Sequence, residues 1–297
     1  MSNKKVTTLD DEFKKNPELK REDIDIISKW VHQQSHLPKI SDLKIAFFLH
    51  SCYYKLEPTK SCIENYYTIK TRCPEVFKNR RFKEIKPNCE IMVQYVLPFK
   101  TQEGYSILFV KLIDKNPEKF VHLTCLKGLD ATISIHFHRN GTSEGHVLIV
   151  DTDNCTMGHF LKLNLLISQK YIYYLQQALH IRIKGIHLLG SNVLVQRIIT
   201  TFKPFLSSEI FRLVQIHKSL DELNVFVPKD VLPKEYGGKS PSLFEMRDES
   251  LKLFEEYDDF LARDDLEIND ESKRIEKVTN CDHLFGSEGS FRSLAID

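Results

Sequence analysis

Val147-Leu-Ile-Val-Asp151 is an apolar run the length of one β-strand, closed by a carboxylate. Its surroundings repeat the theme. Ser106-Ile-Leu-Phe-Val-Lys-Leu112 lies upstream, after a Gln102-Glu103-Gly104 turn. Gly185-Ile-His-Leu-Leu189 and Val214-Gln-Ile-His217 lie downstream, and Asn224-Val-Phe-Val227 is a further candidate. β-Branched and aromatic residues suit a pleated surface, and runs without polar alternation suit strands covered on both faces. Between the runs, residues 118–138, 158–179, 191–203 and 207–212 read as helical. Strands alternating with helices predict an α/β fold with a mainly parallel sheet.

Upstream of about residue 78 the period is helical. Asn16-Pro17-Glu18 reads as a helix start, since Asn caps free N–H groups and Pro lacks the N–H that the first position leaves unused. Ile24, Ile27, Trp30 and Val31 then form one apolar face. Leu37-Pro38 interrupts it, Ser41 or Asp42 starts another helix, and Glu57-Pro58 opens one that ends at Cys73-Pro74-Glu75. Near the other end, Ser242-Leu-Phe-Glu245 is a capping box, opening a helix with Leu243, Leu251, Phe254, Tyr257 and Leu261 on one side. Residues 245–273 hold 12 acids against 4 bases, and beyond about residue 265 the chain reads as a polar, mobile tail. The expected organisation is a helical domain over 1–80, the sheet domain over 81–241, and an acidic helix with a flexible tail over 242–297.

A formal net charge of +1 argues against a general nucleic-acid binder. The longest apolar runs fall well short of the roughly 18 residues that span a bilayer. The amino-terminal residues show no secretory hydrophobic segment, which leads us to expect a cytoplasmic protein. Seven scattered cysteines, with no CxxC pair, suit reduced thiols better than disulfides or zinc.

Gly141-Thr142-Ser143-Glu144-Gly145 spells the GxSxG nucleophile elbow of esterases, but its strand follows the serine instead of preceding it, so a Gly-rich turn is the better reading. His136, His138, His146 and His159 form a loose group without metal-ligand spacing, and we expect no metal. Leu194, Val195, Ile198, Ile199 and Phe202 make a broad apolar face on the segment 191–203; it suits a core helix or a lid over an apolar cavity. Arg182 and Lys184, two apart on an extended segment, point to one side. With Lys203 and Arg212 they suit either an anion-binding patch or solvated surface bases.

Val231-Leu-Pro-Lys-Glu-Tyr-Gly-Gly238 resembles the signature that closes the CRAL-TRIO lipid-binding domain. Gly185-Ile-His-Leu188 and Lys203-Pro-Phe-Leu206 are similar to that family's strand and post-gate elements in order and spacing, and Asn65-Tyr-Tyr67 with Cys73-Pro-Glu75 resembles its helical amino-terminal domain. Arg139-Asn-Gly141 and Asp151 resemble the middle of its tocopherol-transfer-like branch, of the insect type.

The resemblance implies a helical bundle followed by a bowl whose floor is a mostly parallel sheet, closed by a mobile gate helix over 191–203. It implies a monomeric, non-enzymatic carrier of one tocopherol-, retinoid- or carotenoid-like molecule, without a cofactor. Carried over by position, the ligand pocket falls on Thr124, Val150, Leu163, Tyr174, Leu175, Ile181, Ile186, Leu194, Ile198 and Phe202, with Val195 and Ile199 also on the gate. Thr124 and Tyr174 are then the hydrogen-bonding groups. Arg182, Lys184 and Lys203 are the implied contacts to anionic membranes or phosphoinositides, while other basic family positions fall on Cys52, Phe211 and Leu213. A phospholipid exchanger and a regulatory interaction module docking through the acidic tail are the alternatives.

Overall fold

In the computed structural model, which describes residues 5–190, 193–275 and 281–285, helices precede the sheet: α1 (Leu9–Lys15), α2 (Arg21–Gln33), α3 (Asp42–Ser51), α4 (Leu56–Arg72), α5 (Pro74–Phe77) and α6 (Phe82–Ile91). Local chemistry sets some of these boundaries. Thr8 and Asp11 form a capping box on α1, and Ser41 accepts from Lys44 N to start α3. The expected start at Asn16-Pro17 is corrected: Asn16 ends α1, its side chain donating to Glu12, and α2 begins at Arg21 without a side-chain cap. Glu12 is fully buried because it also accepts from the backbone N–H of Thr142 at 3.0 Å, tying α1 to the turn after α7 (His122–Asn140). Gly141 permits that approach; at φ +67°, a Cβ there would lie 1.8 Å from the Glu12 carboxylate.

The sheet has the order β1 (Met92–Lys100), β2 (Ser106–Leu112), β3 (His146–Asp151), β4 (Ile183–Leu189) and β5 (Val214–His217). β1 runs antiparallel to β2, and the remaining pairs are parallel. The crossovers carry α7, then α8 (Met157–Leu161) with α9 (Leu165–Gln177), then α10 (Val193–Phe202) with α11 (Ser208–Arg212). Residues 224–227 are not a strand. Ser219 accepts from Glu222 N and starts α12 (Leu220–Asn224), and Val225 continues in helical conformation.

The two faces of the sheet differ. Val93, Tyr95, Ile107, Phe109, Val147, Ile149 and Leu189 form a closed core with Leu223, Val227, Leu232, Tyr236 and Met246 beneath them. Asp151 and Lys111 pair at its margin, where the Tyr236 hydroxyl donates to Asp151. The opposite face is less completely covered, as described below.

α13 (Leu243–Glu256), opened by the Ser242–Glu245 capping box, packs on α6, α7 and β1, and α14 (Asp258–Asp264) continues it. The expectation of a mobile segment past 265 does not hold for residues 266–275 and 281–285, which return along the first helices. Asn269 N donates to Thr71 Oγ1 at 2.8 Å, Asp270 N to the His36 carbonyl at 2.9 Å, and Cys281 is fully buried in the amino-terminal core. Arg80, with no exposed surface, anchors the return through Asp130 on α7 and through Asp264 and Asp265. Lys70 and Lys44 also meet Asp264, at 2.8 and 3.0 Å. Among the described residues no helix is long and apolar enough to cross a membrane.

Candidate ligand-binding site

Because side chains alternate along a strand, β-register defines a continuous upper floor. One row runs Val96, Leu108, Leu148, Ile186, Val214; the next runs Val110, Val150, Leu188, Ile216 across β2–β5, with Gln94, buried and donating to the Cys125 carbonyl, at its β1 end. Seven of the nine aliphatic side chains are half-buried and Leu108 and Leu188 are buried; Leu108 belongs to the amino-terminal core and Val96, Val110 and Leu148 pack against it, so this face is covered in part, whereas the face beneath is closed. Two rows of aliphatic side chains with accessible surface left between them form the floor of an apolar bowl. This qualifies the expectation of a sheet buried on both faces: the lower face is closed by protein, and the upper face meets the amino-terminal core over part of its area and is left half-buried elsewhere.

The residues expected to line the pocket divide into groups. Val150 and Ile186 lie in the floor rows. Ile198, Ile199 and Phe202 are half-buried on α10, whose Leu194 and Val195 are buried; Ser191 and Asn192, at the start of the expected gate segment, lie outside the described residues. Thr124 on α7, Leu163 before α9, Leu175 on α9 and Ile181 before β4 are half-buried. Tyr174 does not join them. It is 1% exposed and packs against Phe77 at 4.7 Å and Tyr66 at 5.7 Å, on the side of the amino-terminal helices.

α10 is held at both ends by groups that sequence reasoning missed. Before it, Gly190 adopts φ +146°, with its N–H donating to the His217 carbonyl at 3.0 Å; a Cβ there would stand 2.1 Å from Thr152 Oγ1. After it, the Gln176 amide of α9 donates to the Phe205 carbonyl at 3.0 Å and accepts from Ser207 N at 2.7 Å. A glutamine that bridges two backbone groups leaves no periodic signal. Across the helix, Arg197 reaches Met157 Sδ at 4.0 Å, joining α10 to α8. Close by in the chain, α8 and the start of α9 carry exposed Leu161 and Leu166, at 75% and 72%. Val193 on α10 is 73% exposed.

The basic positions converge in part. Arg182 donates to the His50 carbonyl at 2.7 Å and lies 4.2 Å above the Tyr53 ring, and Lys184 donates to the Tyr53 hydroxyl at 3.0 Å. Tyr53 therefore organises the pair; its φ of +52° marks the tight turn after α3. Lys203 is instead 4.9 Å above the Phe211 ring, beyond α10. The pKa of Cys52, beside Tyr53, is lowered, first by its thiol neighbour Cys62.

The other candidate chemistries are absorbed by structure. Ser143 is buried, donates to the Gly104 carbonyl at 3.1 Å and accepts from Ser106 Oγ at 3.0 Å. His136 and His146 are ring neighbours at 6.0 Å, while His138 stacks on Phe260 and His159 caps α8 through Thr156. No group of three metal-ligating side chains occurs among the described residues.

Comparison with known proteins agrees with this architecture. Residues 4–86 match the Pinta-like UBA domain, and residues 92–238 match the CRAL/TRIO domain. An alpha-tocopherol transfer protein-like protein of Pongo abelii is 24% identical over 95% of this chain and 80% of its own length. Clavesin-2 of Homo sapiens is 30% identical over 39% of this chain and 36% of its own. The crystal structure of Sfh5 superposes with a TM-score of 0.46 at 11% identity, over 80% of this chain and 90% of that one. With the CRAL/TRIO match spanning every strand of the sheet and ending on the Gly238 of the signature, the chain belongs to the CRAL-TRIO family.

Proposed function

We propose that this protein carries one small hydrophobic lipid between the upper face of the sheet and α10, and exchanges it with membranes as α10 moves aside. Membership in the CRAL-TRIO family makes the chain a lipid-binding protein. The observation that supports the finer reading is the contrast between the two faces of the sheet. Apolar surface in the floor rows stays accessible where protein could have covered it, and its removal from water supplies roughly 25 cal/mol per Å² to a bound lipid. The floor rows offer no charge to a phosphate, so a tocopherol-, retinoid- or carotenoid-like molecule suits them better than a phospholipid. Thr124 is the hydroxyl available to orient a polar end; Tyr174 is engaged elsewhere.

Exposed Leu161, Leu166 and Val193 beside the gate provide an apolar contact with a bilayer. Arg182 and Lys184 add attraction to anionic headgroups of about 1 kcal/mol each. On this reading the protein works in the cytoplasm and breaks no bond. Native purification, solvent extraction and mass spectrometry test the proposal: one isoprenoid-type lipid per chain is expected. Phosphatidylinositol in the extract, with its transfer between vesicles, would replace the reading with phospholipid exchange. Protein that neither carries nor takes up any lipid would end it.

A further inference from the structure

A second cavity, of about 280 Å³, lies between α3, α4, α7 and α14, and none of its lining residues belongs to the sheet or to α10. It has roughly twice the volume of the ~150 Å³ apolar cavity that accommodates a benzene. Phe47, Tyr66, Phe137 and Phe260 line it with aromatic rings. His180, 6% exposed, also lines it, and its Nδ1 has no hydrogen-bond partner. Burial lowers His180 to about 3, so the imidazole is neutral near pH 7.

The cavity is charged where it meets α14. Lys44 donates to Asp264 at 3.0 Å and to Glu267 Oε2 at 2.6 Å. These groups belong to the network around Arg80, in which three cations (Lys44, Lys70, Arg80) meet four carboxylates (Asp130, Asp264, Asp265, Glu267), one formal negative charge in excess. Glu267 is the outermost of the four, its side chain 41% exposed, and only its Oε2 is engaged by Lys44.

We propose that this cavity binds an arylalkylamine, a one- or two-ring aromatic bearing a primary ammonium. The rings accept a flat aromatic through edge and face contacts. Glu267 Oε1 accepts from the ammonium, offsetting the excess negative charge, and the aromatic walls stabilise the cation further. The site is separate from the lipid bowl, so it stands or falls independently of the carrier reading.

Calorimetry of the full-length protein with tryptamine, indole and indole-3-acetate tests this. Tryptamine should bind saturably at one site, indole about ten-fold more weakly, and indole-3-acetate not at all. Glu267→Gln, a change at a partly exposed side chain, should weaken tryptamine about ten-fold or more and leave indole unchanged, as expected for loss of one charge-assisted hydrogen bond. Leu43→Trp should obstruct the cavity and abolish binding of both, while Ile186→Trp, in the bowl floor and outside the core cluster that lines the cavity, should change neither. Absence of saturable tryptamine binding at millimolar concentration would overturn the proposal. So would equal affinity for all three compounds, or a loss caused by Ile186→Trp and not by Leu43→Trp.

Discussion

Replacing Arg80 by Met should be among the most destabilising single changes available to this protein. The guanidinium is wholly buried and meets three carboxylates, with Asp130 1%, Asp264 7% and Asp265 9% exposed. Two of them keep other partners after the change: Asp264 retains Lys44 and Lys70, and Asp265 still accepts from the residue-80 backbone N–H at 2.9 Å. Asp130, whose Oδ1 already has no partner, loses its cation. Removing one member of a buried pair costs about 3–5 kcal/mol, most of it the cost of the charge left behind. At roughly 2–4 °C per kcal/mol for a chain somewhat smaller than this one, the melting temperature should fall by about 10 °C. The double variant Arg80→Met/Asp130→Leu should recover part of the loss, because it removes the stranded carboxylate as well. Arg21→Ala, whose partners Asp25 and Asp42 are exposed, should stay within about 1 kcal/mol of the parent. Urea unfolding followed by circular dichroism measures all three. An Arg80→Met protein as stable as Arg21→Ala, or a double variant no better than the single, would refute the reasoning.

Ile186→Trp narrows the bowl at a half-buried floor position, so lipid uptake should fall at least ten-fold in a displacement assay while the melting temperature moves by only a few degrees. Gly190→Ala should cost about 1–3 kcal/mol through its backbone conformation and the contact with Thr152; adding Thr152→Ala should return the steric share, measured by thermal unfolding. Acid should destabilise the fold through its buried histidines. Burial lowers His146 to about 4 and His50, His136 and His180 to about 3, against 6.5 for a free imidazole. Between those values the unfolded chain binds more protons than the folded one. Their contribution is therefore complete above about pH 6.5 and declines as pH falls toward 4. Unfolding midpoints should fall as pH is lowered across that range, and His146→Leu should weaken this dependence on pH; an identical dependence in both proteins would contradict this account.

Elements with a local cause were legible in the sequence. Ser41 and Ser242 announce their helices, the strands from Ser106 onward are dense in β-branched residues, and Val231–Gly238 carries the family resemblance. β1 was missed because Met92–Lys100 mixes Gln94, Pro98 and Lys100 into its run, and its register depends on pairing with β2. Residues 224–227 have strand composition, but the Ser219 cap upstream decides for helix. The return of the carboxyl-terminal segment was invisible for a different reason. Arg80, Asp264 and Asp265 look like surface charges until the chain brings them together, and no local pattern encodes a contact across so much sequence. The same holds at the site: the aliphatic strands and the apolar face of α10 were readable, whereas the placements of Gln176, Tyr53 and Tyr174 depend on which neighbour each side chain meets.

The pairing of Arg80 with Asp264 and Asp265 also has a meaning in time. The arginine emerges from the ribosome 184 residues ahead of Asp264. At 5–20 residues per second, the first helices exist for roughly ten to forty seconds without those carboxylates. Asp130 arrives sooner and offers a provisional counter-charge. During synthesis the amino-terminal bundle is thus held short of its final packing, and the last strand and helices are made before it can close. A nascent chain stalled or truncated ahead of α14 should expose this unfinished bundle to chaperones and proteases, even with every strand of the bowl already made.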